Sequence, residues 1–180
     1  ATYATCPAGK YSAATAGACS SCPGGQYQNA AASSGCKACP AGNYCPTGAT
    51  TTYGCPAGYY CPAGSATYAT CPAGKYSAAT AGVCSSCPSG NYQDAAYSTG
   101  CKGCPAGYYC PTGATTYYTC PAGYYCPASS GTYYSCAAGK YSGSGASACS
   151  NCPGGQYQSV ASQSSCKGCP AVRLPSLHLA

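Results

Sequence analysis

The sequence predicts small disulfide-rich repeats: an elongated rod of short β-hairpins and irregular loops, with essentially no helix. Three observations predict it. The chain holds 21 cysteines in 180 residues, a density at which a disulfide scaffold is the default reading. Phe, Trp, Met and Ile are absent and every Leu lies in the last seven residues, so an ordinary aliphatic core cannot form and covalent staples must substitute for it. The cysteines also recur with a fixed period, the mark of a repeat architecture.

The period is 65 residues. Cys6, Cys19, Cys22, Cys36, Cys39, Cys45, Cys55 and Cys61 return without slippage as Cys71, Cys84, Cys87, Cys101, Cys104, Cys110, Cys120 and Cys126. The series starts again at Cys136, Cys149, Cys152, Cys166 and Cys169. Residues 6–70 and 71–135 are two full repeats, 136–170 part of a third, and 171–180 a divergent tail. Residues 1–5 match 66–70 and close a preceding repeat, so the chain reads as a mature product or a fragment of something longer. Repeats one and two differ at only 14 of 65 positions, a sameness that a recognition surface does not need.

Each repeat divides into four modules of 16 or 17 residues, opened by Cys-Pro-x-Gly-x-Tyr at Cys6, Cys22, Cys39 and Cys55. Pro fixes φ and Gly permits positive φ, so Pro-x-Gly is a turn signal. The Tyr that follows opens a β-prone stretch such as Lys10-Tyr11-Ser12, and strands of two to four residues are expected. The Ala-rich run 29–32 is too short to nucleate a helix.

Each module carries one further cysteine, late in the first two modules and early in the last two. Pairing within modules gives Cys6–Cys19, Cys22–Cys36, Cys39–Cys45, Cys55–Cys61, Cys71–Cys84, Cys87–Cys101, Cys104–Cys110, Cys120–Cys126, Cys136–Cys149 and Cys152–Cys166, and leaves Cys169 unpaired. A rival scheme crosses module borders, for example Cys19–Cys36 with Cys22–Cys39, and spacing alone does not choose between them. So many bridges imply an oxidising, extracellular compartment.

One large side chain holds a fixed place in every full module: Tyr11, Tyr27, Tyr44, Tyr60, Tyr76, Tyr92, Tyr109, Tyr125, Tyr141 and Tyr157. A ring laid over a disulfide, with its hydroxyl near water, explains this position. The less regular pairs Tyr117-Tyr118 and Tyr133-Tyr134 suit an adhesive or cross-linkable role better.

Several function classes are excluded by residue content. The six Lys are spread evenly, without the basic patch that nucleic-acid binding requires. No apolar run approaches the length of a membrane span. Asp94 is the single acid and His178 the single His, so general acid–base chemistry has no players and calcium has no carboxylate cage. Cys19, Cys22, Cys36 and Cys39 approach zinc-ribbon spacing, but a metal there would strand the surrounding cysteines, and disulfides are favoured. The expectation is a non-enzyme with no metal and no cofactor. O-linked glycans on the crowded hydroxyls of Thr47, Thr50, Thr51, Thr52, Thr112, Thr115, Thr116, Ser129 and Ser130 would keep so uncharged a surface soluble.

The segment CPAGKYSAATAGACSSCPGGQY, residues 6–27, resembles the ephrin-receptor-like cysteine-rich repeat, which is similar to tumour-necrosis-factor-receptor and EGF-like modules. The resemblance covers about residues 1–170 and implies an extracellular, disulfide-linked, elongated array with no catalytic residues to carry over. In tumour-necrosis-factor-receptor modules the first bridge closes a loop like Cys6–Cys19, so the resemblance implies pairing within modules. The Cys-x5-Cys spacing of the third and fourth modules and the tail 171–180 depart from the family pattern. Similar arrays occur in surface and matrix proteins of algae and other protists. The functional expectation is a structural section of an extracellular fibre, surface hair or matrix, assembling with copies of itself. The alternative is the stalk of a cell-surface receptor or adhesin.

Overall fold

In the computed structural model the described residues are 5–13 and 17–170. Residues 1–4, assigned to a preceding repeat, and the tail 171–180 lie outside them. They fall into two compact bodies, Ala1–Lys102 with Thr112–Thr116, and Gly103–Pro111 with Tyr117–Ala180. The described residues contain no helix. Twenty strands of two residues each pair, in sequence order, into ten two-stranded sheets.

The local signals explain the hairpins. In the first module the Lys10 amide donates to the Pro7 carbonyl at 3.2 Å, closing a four-residue turn with Gly9 at its third position and φ +82°. That geometry requires positive φ and hence favours Gly. The chain leaves the turn as Lys10–Tyr11 and returns as Ser20–Ser21, in the antiparallel register Lys10↔Ser21 and Tyr11↔Ser20. Two rungs are far too few for a free-standing hairpin, so the stability must come from bridges and from neighbouring modules.

Neighbours supply backbone hydrogen bonds by one rule. In the first body the module glycine donates to the carbonyl six residues past the next opening cysteine: Gly9 to Gln28, Gly25 to Cys45, Gly42 to Cys61, Gly58 to Ser77 and Gly74 to Gln93. In the second body Gly107 donates to Cys126, Gly123 to Ser142 and Gly139 to Gln158. The opening cysteine of the next module donates back to the glycine carbonyl, as Cys22 does to Gly9 at 2.9 Å. The cysteine's own carbonyl accepts from a residue of the next module, as Cys55 does from Thr80 at 2.7 Å. Backbone polarity is thereby satisfied where side chains cannot do it.

The acceptor loop places a residue in the left-handed region at the same point of each module: Ala32, Thr80, Tyr97, Ser129 and Ser162 lie at φ 56–61°, and Gly48, Gly64, Gly113 and Gly145 at φ 74–77°. The carbonyl of that residue abuts the module glycine two modules back. A Cβ on Gly9 would strike the Gly48 carbonyl, on Gly25 that of Gly64, on Gly42 that of Thr80, and on Gly58 that of Tyr97. The second body repeats the contact from Gly107 to Gly145 and from Gly123 to Ser162.

The core is almost entirely sulfur. The buried apolar residues are half-cystines together with Ala49 and Ala114. The module tyrosines are half-buried, except Tyr157, which is 43% exposed.

Candidate functional site

The structure joins the cysteines within modules. Six bridges close loops of 13 or 14 residues: Cys6–Cys19, Cys22–Cys36, Cys71–Cys84, Cys87–Cys101, Cys136–Cys149 and Cys152–Cys166. Four close loops of six: Cys39–Cys45, Cys55–Cys61, Cys104–Cys110 and Cys120–Cys126. Cys169 is free and exposed. Cα–Cα distances run from 5.5 Å at Cys6–Cys19 to 6.0 Å at Cys55–Cys61, within the range a bridge needs.

Hairpin register unites the two spacings. Extending Lys10↔Ser21 and Tyr11↔Ser20 by one rung sets Ser12 opposite Cys19. Extending Gln26↔Ala38 and Tyr27↔Lys37 sets Gln28 opposite Cys36. Extending Asn43↔Gly54 and Tyr44↔Tyr53 sets Cys45 itself on that rung. The second sulfur therefore enters the same rung from either strand. Where it enters from the return strand, the vacated place is filled by a polar side chain. Gln28, Gln93 and Gln158 are buried there; Gln93 Nε2 donates to the Gly100 carbonyl at 2.7 Å and its Oε1 accepts from the Ala95 amide at 3.2 Å. Ser77 and Ser142, buried at the same place, donate to the Tyr59 and Tyr124 carbonyls at 2.7 Å. The sequence does not mark this position, because Ser, Gln and Cys share no obvious property.

The tyrosines form chains of ring contacts at the surface. Tyr27 packs on the Cys39–Cys45 bridge of the next module and on Ala49. Ring contacts run through the first body from Tyr53 to Tyr44, Tyr68, Tyr59 and Tyr97, with centroids 4.8–5.5 Å apart. The second body repeats the pattern as Tyr118, Tyr109, Tyr133 and Tyr124. Tyr108 meets Tyr117 at 4.7 Å, and Tyr125 meets Tyr134 at 5.6 Å. Tyr53, Tyr68, Tyr117, Tyr118, Tyr133 and Tyr134 are 42–46% exposed.

Other features recur with the 65-residue offset. An open groove of ≈ 310 Å³ is lined by Tyr60, Pro72, Lys75, Val83 and Cys84. Its counterpart of ≈ 320 Å³ is lined by Tyr125, Ser135, Ala137, Lys140, Ala148 and Cys149. Lys102 pairs with Asp94 at 2.6 Å on the surface, and the same place one repeat earlier holds Lys37 against the Asn29 amide oxygen at 2.8 Å. The hydrogen bond from Lys102 holds the Asp94 carboxyl below its ordinary range, and the same bond raises Lys102.

Among the proposed glycan acceptors, Thr47, Thr50, Thr51, Thr112, Thr115, Thr116 and Ser129 are exposed and Thr52 is half-buried. Ser130 is a correction: it is 4% exposed and its hydroxyl donates to the Pro127 carbonyl at 2.6 Å, so no enzyme can reach it. Among the described residues no group of three or more His, Cys, Asp or Glu can hold a metal ion, and no helix is long and apolar enough to cross a membrane.

A family model described as tyrosine-protein kinase ephrin type A/B receptor-like matches residues 9–55 and 139–175. No curated protein matches the chain. The match and the ten bridges describe cysteine-rich repeat modules of extracellular or cell-surface type.

Proposed function

We propose that this chain, which carries ephrin-receptor-like cysteine-rich repeats, is a non-catalytic structural element: a section of an extracellular fibre, surface hair or matrix that packs against copies of itself. One observation carries this reading. Tyrosine pairs, groove and exposed Thr loops return in the same places one repeat later: Tyr44 and Tyr53 as Tyr109 and Tyr118, Tyr60 and Lys75 as Tyr125 and Lys140. A lattice needs identical contacts at equal intervals, whereas recognition of one ligand rewards diversified modules. The low charge, seven cationic residues and one acid, supports lateral approach of like chains, which strong self-repulsion would oppose. O-linked sugar on the exposed Thr residues fits the same reading, and the chemistry calls for no cofactor.

The receptor-like family match favours a second reading, in which the array is the stalk of a cell-surface receptor or adhesin. Sedimentation velocity of native, unreduced protein over a wide concentration range separates the two. The fibre reading expects concentration-dependent growth beyond dimers, and a strictly monomeric species at all concentrations overturns it.

A further inference from the structure

We propose that the cross-strand tyrosine pairs Tyr44–Tyr53, Tyr109–Tyr118 and Tyr125–Tyr134 are sites of oxidative coupling to dityrosine by a haem peroxidase and hydrogen peroxide, covalent clamps that lock individual hairpins. This goes beyond the fibre reading and does not depend on it, because both rings of each clamp lie in one hairpin.

Geometry singles out these three. Tyr44 faces Tyr53, Tyr109 faces Tyr118 and Tyr125 faces Tyr134 on directly opposed strand positions. Their centroids lie 5.5, 5.6 and 5.6 Å apart, with ring planes inclined by 31°, 33° and 40°. Opposed side chains leave the same face of a hairpin in the same direction, so the ring edges that carry the ortho carbons run alongside each other. The other ring contacts are different: Tyr44–Tyr68, Tyr59–Tyr68, Tyr108–Tyr117, Tyr109–Tyr133 and Tyr124–Tyr133 are edge-to-face at 68–80°, and Tyr59–Tyr97, tilted at 59°, joins two modules and is not an opposed pair of one hairpin, since Tyr59 faces Thr70. The edge-to-face arrangement aims the edge of one ring at the face of the other and does not align two ortho carbons. The outer ring of each clamp, Tyr53, Tyr118 or Tyr134, is 42–46% exposed and open to a diffusible oxidant or to electron transfer at the surface.

Composition is an independent observation. All 21 aromatic residues are Tyr, with no Phe and no Trp. Burial against sulfur would be served as well by Phe at several of these positions, so the phenol itself is what the chain retains. Met and Trp, the usual competing sinks for one-electron oxidation, are absent, and among the described residues every cysteine but Cys169 is already a disulfide.

The step balances simply. Compound I and compound II of the peroxidase each remove one electron and one proton from a phenol, giving two phenoxyl radicals while hydrogen peroxide is reduced to two waters. The radicals join at their ortho carbons in a new C–C bond. The two ring protons displaced by that bond move to the phenoxyl oxygens, restoring both aromatic rings. The product is lighter by two hydrogen atoms per clamp. Rings held in contact couple at a high effective concentration, as linked partners do.

The test treats dilute, native, unreduced protein, at a concentration where it sediments as a monomer, with horseradish-type peroxidase and hydrogen peroxide. Dityrosine fluorescence and proteolytic peptide mapping are read, with denaturing electrophoresis to score chain mass. The expected result is a chain that stays monomeric and carries links at 44–53, 109–118 and 125–134. In Tyr118→Phe the 109–118 link disappears while the 125–134 link forms in unchanged yield, which also reports that the variant is folded. Links found only between chains, links scattered over the tyrosines without preference for these pairs, or no dityrosine at all would each overturn the proposal. Failure of the protein to form fibres would leave these outcomes unaffected.

Discussion

Replacing Gly58 by Ala separates the two reasons a module needs its glycine. Gly58 lies at φ +83°, where an L side chain costs about 1 kcal/mol relative to Gly. It also faces the Tyr97 carbonyl so closely that a Cβ cannot fit without moving backbone, and crowding of that kind adds about 1–3 kcal/mol. Gly64 is the matched control: its φ is +77°, yet a Cβ there meets nothing within 4 Å. The chain has already made the equivalent change, because Ser129 occupies the place of Gly64 one repeat later at φ 59°. Gly64→Ala should therefore cost about 1 kcal/mol, and Gly58→Ala about 2–4 kcal/mol. Native-state amide exchange reads this locally. The reporters are the Cys71 amide bonded to Gly58 at 3.1 Å and the Gly58 amide bonded to Ser77 at 3.0 Å. Protection of these amides should fall about thirty- to several-hundredfold in Gly58→Ala, and that of the Gly64 amide only about fivefold in Gly64→Ala. Equal losses in the two variants would refute the carbonyl contact as the reason for the invariant Gly.

Further outcomes are expected. Gln93→Leu removes two buried hydrogen bonds while keeping volume and should cost about 1–3 kcal/mol, seen as lost protection in the Ala95–Gly100 loop by amide exchange. The Asp94–Lys102 pair contributes above the ordinary Asp value of 3.8, since its lowered pKa favours the folded form, and loses that contribution as pH falls below it. On the basic side the raised Lys102 contributes below 10.5 and loses its contribution as pH rises past its folded pKa. Carboxyl-carbon NMR should place Asp94 below its ordinary value, and Asp94→Asn should remove this pH dependence while lowering the melting temperature only slightly, because the pair is exposed and Asn29 plays the same part beside Lys37. Reductant should abolish the circular-dichroism signature of the fold, since loops of 13 or 14 residues are each worth about 3 kcal/mol in closure entropy, whereas a metal chelator should leave it intact. Native protein should weigh more than its polypeptide by multiples of a hexose, with sites at exposed Thr residues and none at Ser130.

Much of this architecture is legible in the sequence because its signals are local. Cys-Pro-x-Gly-x-Tyr states a turn, a positive φ and the start of a strand, and it occurs nine times, with Ala137 in place of Pro in a tenth module. The two cysteine spacings look like two kinds of module in the sequence. They are one, because Ser12 and Cys19 share a rung and rungs are set by register, which spacing alone does not reveal. The second reason for Gly9 is hidden further still, since it lies two modules away at the Gly48 carbonyl. Among the surface sites, hydroxyl-rich stretches mark accessible loops correctly at Thr50 and Thr51 but not at Ser130, which turns inward to bond the Pro127 carbonyl. The tyrosine pairs Tyr44–Tyr53 and Tyr109–Tyr118 could not be read as pairs before the register was known.

Electron microscopy of native, unreduced material, with its axial spacing measured, tests the central claim that identical repeats build an assembly. The account predicts filaments whose axial period equals the rise of one 65-residue repeat or a simple multiple of it. Separate rods that show no self-association and no common spacing would contradict it.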